Sequence, residues 1–213
     1  MSILKGIKSK EDILEHANQL FNEKGLAQTF ADLARELKTT QGRITYHFPT
    51  KDHLFIALAE HYEAAQRKRR ESWAPGPVDL QIYADRYLSA MDIQYRYRCV
   101  IRYLSVMANK QGEVYGYMAE AYKKNREIIL DSFRTLINVG SLKPGLMEPD
   151  IINVVLFQFT CLFTTWVINL EIYDPDKTFE EVRSTYFKGI FSVFAPYLTA
   201  KGREELNRAG IPV

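Results

Sequence analysis

Between Ile151 and Leu170 the chain runs for twenty residues without a charged side chain. Such a run must be withdrawn from water, either into a bilayer, which it is long enough to cross, or into the interior of a protein. It carries Asn153, Gln158, Thr160, Thr164, Thr165 and Asn169. Its flanks are acidic, with Glu148 and Asp150 before it and Glu171, Asp174 and Asp176 after it, and no basic cluster is near to set a topology. The reading is a helix buried inside protein, with no membrane partner. At 213 residues and 46% hydrophobic, the chain can supply a core around it.

Glycine and proline divide the rest: Gly25, Pro49, the Pro75-Gly76-Pro77 cluster, Pro144-Gly145 with Pro149, and Pro175. Between these breaks the apolar residues recur at helical spacing, and no hairpin signal is present. The first helix is expected to start at Ser9, with Asp12 as its capping partner, and to bury Ile13, Leu14, Ala17, Leu20 and Phe21 before Gly25 stops it. Thr29 and Thr40 open two short helices, and Thr50 opens a longer one that runs to about Trp73. Further helices are expected near Val78–Tyr95, Arg98–Lys110, Glu113–Val139, Pro149–Ile172 and Phe179–Tyr197, with a tail helix about Lys201–Arg208. The fold class is therefore all-α, an N-terminal three-helix helix-turn-helix domain plus a larger helical bundle. The expected organisation is 1–50 for the helix-turn-helix, 51–73 for a connecting helix and 74–213 for the larger domain.

Net charge is only +2, but it is unevenly spread. Residues 1–70 hold 12 lysines and arginines against 9 acidic residues, and 71–213 hold 16 against 17. The basic excess points weakly to a polyanion partner at the N-terminal end. Cys99 and Cys161 lie far apart in apolar runs and form neither a disulfide framework nor a metal spacing. The first ten residues lack the apolar core of a signal peptide, and a cytoplasmic protein is expected. His16, His47, His53 and His61 show no ligand spacing, no Gly-rich phosphate loop follows a strand, and no serine or cysteine has a nucleophile signature. No catalytic residue, metal site or cofactor is expected.

The informative stretch is Thr29 to Lys51, TFADLARELKTTQGRITYHFPTK. Two short helices joined by a tight turn would leave Ile44 and Phe48 pointing inward. Gln41, Arg43, Thr45, Tyr46 and His47 would then stand on an outer polar face, as a major-groove reader requires. Gly42, with no side chain, lets its backbone come close to a neighbour. Thr29, Thr40 and Lys51 fall at helix N-termini, where backbone amides and the dipole favour phosphate.

These residues resemble the DNA-binding domain of the TetR family. The likeness runs through Ile13-Leu14, Leu20-Phe21, Gly25, Asp32-Leu33-Ala34, Thr40, Gly42, Ile44, Tyr46-His47-Phe48, Lys51 and Leu54. Two departures stand out. Thr45 occupies a position where most members carry a tyrosine that touches phosphate, and the loop between Gly25 and Asp32 is one residue shorter than is common. The resemblance implies a homodimer on a near-palindromic double-stranded DNA operator, repressing transcription until a small molecule in the C-terminal domain releases it.

Two further sets of residues are expected to carry that function. A mostly apolar effector pocket is expected among Tyr87, Met91, Tyr103, Met107, Tyr122 and Phe163, since such side chains suit a small apolar guest. The last two long helices are apolar on more than one face and so need more than one partner. A two-fold interface is expected there, from Phe159, Leu162, Trp166, Tyr186, Phe187, Ile190 and Phe194. Two rivals remain: a DNA-binding regulator controlled by a protein partner without a small molecule, and a helical ligand-binding or enzymatic protein with a vestigial DNA-binding module.

Overall fold

Helix α1 (Lys10–Lys24) buries Ile13, Leu14, Ala17, Leu20 and Phe21 along one stripe. Gly25 ends it at φ +84, a left-handed conformation in which glycine meets no steric penalty. The computed structural model describes residues 10–73, 75–107 and 112–212, so the expected cap at Ser9 lies outside the described residues. Helix α2 (Phe30–Glu36) starts behind a complete capping box, in which Thr29 Oγ1 accepts from the Asp32 amide and the Asp32 carboxylate accepts from the Thr29 amide. Helix α3 (Gln41–His47) is capped by Thr40. In the turn between them Lys38 sits at φ +50, in the left-handed region.

Helix α4 (Lys51–Glu71) closes over these three, burying Leu54, Phe55 and Leu58. Helix α5 (Leu80–Arg96) gives way at Tyr97 to α6 (Arg98–Met107), and α7 (Glu113–Asn138) follows. The chain then forms a 3-10 turn (Pro144–Met147), α8 (Pro149–Tyr173), α9 (Phe179–Phe191), a second 3-10 turn (Ser192–Tyr197) and α10 (Ala200–Arg208). The fold is all-α. Among the described residues the only extended pairing is an isolated bridge between Leu142 and Leu198.

The expected helix Phe179–Tyr197 stops being α-helical at Phe191 because of Pro196. Proline has no N–H to bond back, and its ring crowds the carbonyl four residues earlier, so the last turn tightens into 3-10 geometry.

Two units make up the chain, one from residues 1–71 with 96–118, the other from 72–95 with 119–213. This division differs from a border near residue 74. The core of the first unit joins Ile13, Phe21, Leu33, Ile44, Phe48 and Phe55 to Cys99, Val100 and Tyr103 of α6. Three short helices enclose too little apolar surface to stand alone, and α4 and α6 supply the rest.

The second unit packs an aromatic core in which the Phe159 ring meets Tyr87, Phe133, Phe191 and Phe194 at 5.1–6.1 Å between centroids. Gln94, buried on α5, accepts from Trp166 Nε1 (2.6 Å) and donates to the Phe163 carbonyl (2.9 Å), which ties α5 to α8. Helix α8 is long and apolar enough to cross a membrane, but Ile152, Val155, Leu156, Phe159, Trp166, Val167 and Leu170 are buried in this unit. At the other end of the unit, a Cβ on Gly202 of α10 would lie 2.1 Å from the Ser141 carbonyl oxygen, so only glycine lets that backbone approach.

Candidate nucleic-acid interface

The geometry of α3 follows from two anchors. Ile44 is fully buried and Phe48 nearly so, which fixes the rotation of a helix barely two turns long. Thr40 Oγ1 accepts from the Arg43 amide at 3.3 Å and holds its first turn. With those positions inside, Gln41, Gly42, Arg43, Thr45 and Tyr46 face solvent together, and Tyr46 is 83% exposed. Nothing lies within 4 Å of where a Gly42 Cβ would stand, so the helix surface there is open to a close partner. Thr45 Oγ1 donates to the Gln41 carbonyl at 3.0 Å and keeps its lone pairs as acceptors. His47 is half-buried and meets the edge of Tyr46 at 5.2 Å. Among the described residues the Arg43 guanidinium has no intramolecular partner, so its two-pronged donor face is available for a base edge.

Two of the residues assigned to phosphate are otherwise engaged. Thr29 Oγ1 donates to Asp32 Oδ2 (2.7 Å), and the two bonds from Thr29 hold the Asp32 carboxyl below its ordinary pKa. That carboxylate already occupies the N-terminus of α2 and would repel a phosphate. The shorter loop leaves the helix start at Phe30 unshifted. Lys51 turns inward. Its Nζ donates to the carbonyls of Leu26 and of Gln28 (3.0 Å) and lies 5.0 Å from the centre of the Phe21 ring. Burial lowers its pKa. The ammonium stitches the α1–α2 loop to the start of α4, a contact 23 to 25 residues long in sequence that no local pattern reveals.

The expected effector residues do not gather in one place. Tyr87 and Phe163 meet at 4.7 Å in the second unit, and Met91 is buried one turn along α5 from Tyr87. Tyr103 lies in the first unit, stacked flat on Phe55 at 3.8 Å with its hydroxyl donating to Asp52. Tyr122 is 54% exposed, and the Met107 side chain lies outside the described residues.

The expected two-fold residues divide in a similar way. Phe159, Trp166, Phe187, Ile190 and Phe194 are buried by their own chain, and Tyr186 is half-buried with its hydroxyl donating to Asp174 (2.7 Å). Only Leu162 is exposed, and it shares the outer side of α8 with Val154, Phe157, Cys161 and Ile172. The largest side chains fill the chain's own core first, which leaves the second apolar stripe facing outward.

Comparison with known families agrees with this geometry over nearly the whole chain. The model of bacterial regulatory proteins of the tetR family matches residues 13–58, and that of the TetR bacterial transcriptional repressor matches residues 60–206. The chain belongs to the TetR family. It is a DNA-binding transcriptional regulator with a helix-turn-helix.

A TetR-family transcriptional regulator from Marinobacter aquaeolei VT8 is 21% identical, with 96% of this chain and 98% of that one covered at a TM-score of 0.79. SmeT in complex with triclosan is 15% identical, with 89% and 91% covered at 0.60. A TetR variant from Acinetobacter baumannii AYE in complex with minocycline is 22% identical, with 93% and 94% covered at 0.54. At these identities the likeness shows the shared TetR fold. No curated protein sequence matches this TetR-family chain.

Proposed function

We propose that the chain is a cytoplasmic repressor that binds a near-palindromic double-stranded operator as a homodimer and is released by a small apolar effector. The observation that carries the DNA reading is the outward row Gln41, Gly42, Arg43, Thr45 and Tyr46 on a helix anchored by Ile44 and Phe48. Two such helices from a two-fold dimer would enter major grooves about 34–36 Å apart, one turn of DNA. The exposed stripe of Val154, Phe157, Cys161, Leu162 and Ile172 on α8 supports the dimer, since a contiguous apolar face on a long helix calls for a partner. The half-buried Tyr87 and Phe163 support an effector site in the second unit, and the solved relatives with triclosan and minocycline are consistent with it.

The test is selection of bound sequences from random DNA, followed by affinity measured against salt. The proposal expects a two-fold symmetric consensus and a steep fall of log K with log salt, set by the phosphates neutralised. No enriched sequence, or an affinity indifferent to salt, would overturn it and leave the enzymatic or ligand-binding rival. A bound operator that no apolar compound releases would favour control by a protein partner.

A further inference from the structure

On the outward face of α3 the polar side chains are interrupted by a patch of apolar atoms. Thr45 and Tyr46 lie three and four residues after Gly42, so all three are neighbours on one side of the helix. Gly42 has no side chain, and nothing stands within 4 Å of where its Cβ would be, so the floor of the patch is bare backbone. Thr45 makes one wall. Its hydroxyl proton is committed to the Gln41 carbonyl four residues back (3.0 Å), which selects one staggered position of the side chain. With the hydroxyl turned back to the backbone and the residue exposed, the methyl is left at the surface. Held so, Thr45 has no proton for a base or a phosphate, and presents a methyl and oxygen lone pairs. Tyr46 makes the other wall. Its ring is almost wholly exposed and meets His47 edge-on at 5.2 Å, so the apolar body of the ring stands in water on the face that meets DNA.

We propose that Thr45 is a specificity-determining residue, which with Gly42 and Tyr46 forms a seat for the 5-methyl group of one thymine in each half-site. Among the base edges in the major groove, thymine's carries the apolar group, and a threonine methyl is a fitting partner for it. The bare backbone at Gly42 lets the base come close enough for its methyl to be covered, and the Tyr46 ring closes the seat from the side. Gln41 and Arg43 supply donors to neighbouring bases, so the seat adds apolar readout to a face that otherwise reads by hydrogen bonds. This rests on the DNA-reading face proposed above.

The test uses the full-length protein and the operator selected with wild type. Deoxyuridine, which lacks only the 5-methyl group, replaces thymidine at one position after another, and affinity is measured at fixed salt. At one position the replacement is expected to weaken wild type about fourfold per half-site, and about fifteenfold when made in both. Thr45→Ser keeps the hydroxyl and loses the methyl, so its penalty at that position falls below about twofold. Thr45→Val keeps a methyl and loses the hydroxyl, and retains the penalty. Gly42→Ala puts a methyl on the floor of the seat, and should bind the deoxyuridine operator at least as tightly as the thymidine one, reversing the wild-type preference. The arm with wild-type protein needs no variant to fold. A consensus with no methyl-dependent thymidine would overturn the proposal and leave the DNA-reading face standing. So would a dependence unchanged in Thr45→Ser and Gly42→Ala, or one lost in Thr45→Val, which would give the reading to the hydroxyl. No enriched sequence at all would overturn the DNA-reading face, and this proposal with it.

Discussion

Replacing Lys51 by methionine separates two roles that the residue has been given. The change keeps the apolar stem beside Phe21 and removes the bonds to the Leu26 and Gln28 carbonyls. Bonds from a charged donor are worth about 1.5–3 kcal/mol each. The burial cost that lowers the ammonium's pKa offsets part of that, so roughly 2–3 kcal/mol of the first unit's stability should be lost. Urea unfolding of full-length wild type and Lys51→Met measures this directly. The companion measurement is the slope of log K against log salt on the selected operator. A lysine that neutralised phosphate would lower that slope by about 0.9 per contact, so by roughly 1.8 for a dimer. An inward lysine leaves the slope where it was. A slope reduced by that amount, with stability unchanged, would refute the inward assignment and restore Lys51 to the phosphate surface.

Arg43→Ala should cost about 1–3 kcal/mol on the selected operator and relax base choice at one position per half-site, and an unchanged binding consensus would count against it as the base reader. Phe157→Glu should give folded monomers by sedimentation, because its side chain is 67% exposed, whereas Phe159→Ala should lower stability by about 3–5 kcal/mol without separating subunits first. Lys38→Gly should raise stability by roughly 0.5–1 kcal/mol, the left-handed penalty less glycine's greater chain entropy, and a lower melting temperature would contradict the turn geometry. Bonds from Thr29 depress the Asp32 carboxyl, and bonds from Thr178 depress that of Glu181 in the capping box of α9. A depressed folded pKa gives stability that is present above the unfolded value and lost as pH falls through the folded one. The melting temperature should therefore fall on acidification below the ordinary values of 3.8 and 4.5, less steeply in Thr29→Ala and Thr178→Ala.

The helices were legible because their signals are local. Thr29 and Thr40 cap, Gly25 stops, and the stripe of α1 repeats at helical spacing. The outward face of α3 was legible for the same reason, since Ile44 and Phe48 fix its rotation within one short segment. What could not be read depends on contacts distant in sequence. Nothing near Lys51 tells that its ammonium ends on Leu26 and Gln28. Helix α8 is apolar on several sides, so composition cannot say which stripe its own chain covers; Gln94 bonding Trp166 decides it. Tyr103 resembles every other tyrosine of its region until Phe55 and Asp52 are beside it.

The first unit is assembled from two stretches of chain separated by α5, and this has a consequence for biosynthesis. A ribosome delivers the chain in order, so α1 to α4 emerge with the Cys99, Val100 and Tyr103 part of their core still to be made. They wait, incompletely covered, through the synthesis of a helix that belongs to the other unit. A chain cut short after α4 would lack Cys99, Val100 and Tyr103, and its reading helix would stand on an incomplete core. The core beneath the reading helix is therefore complete only once α6 has followed α5 out of the ribosome.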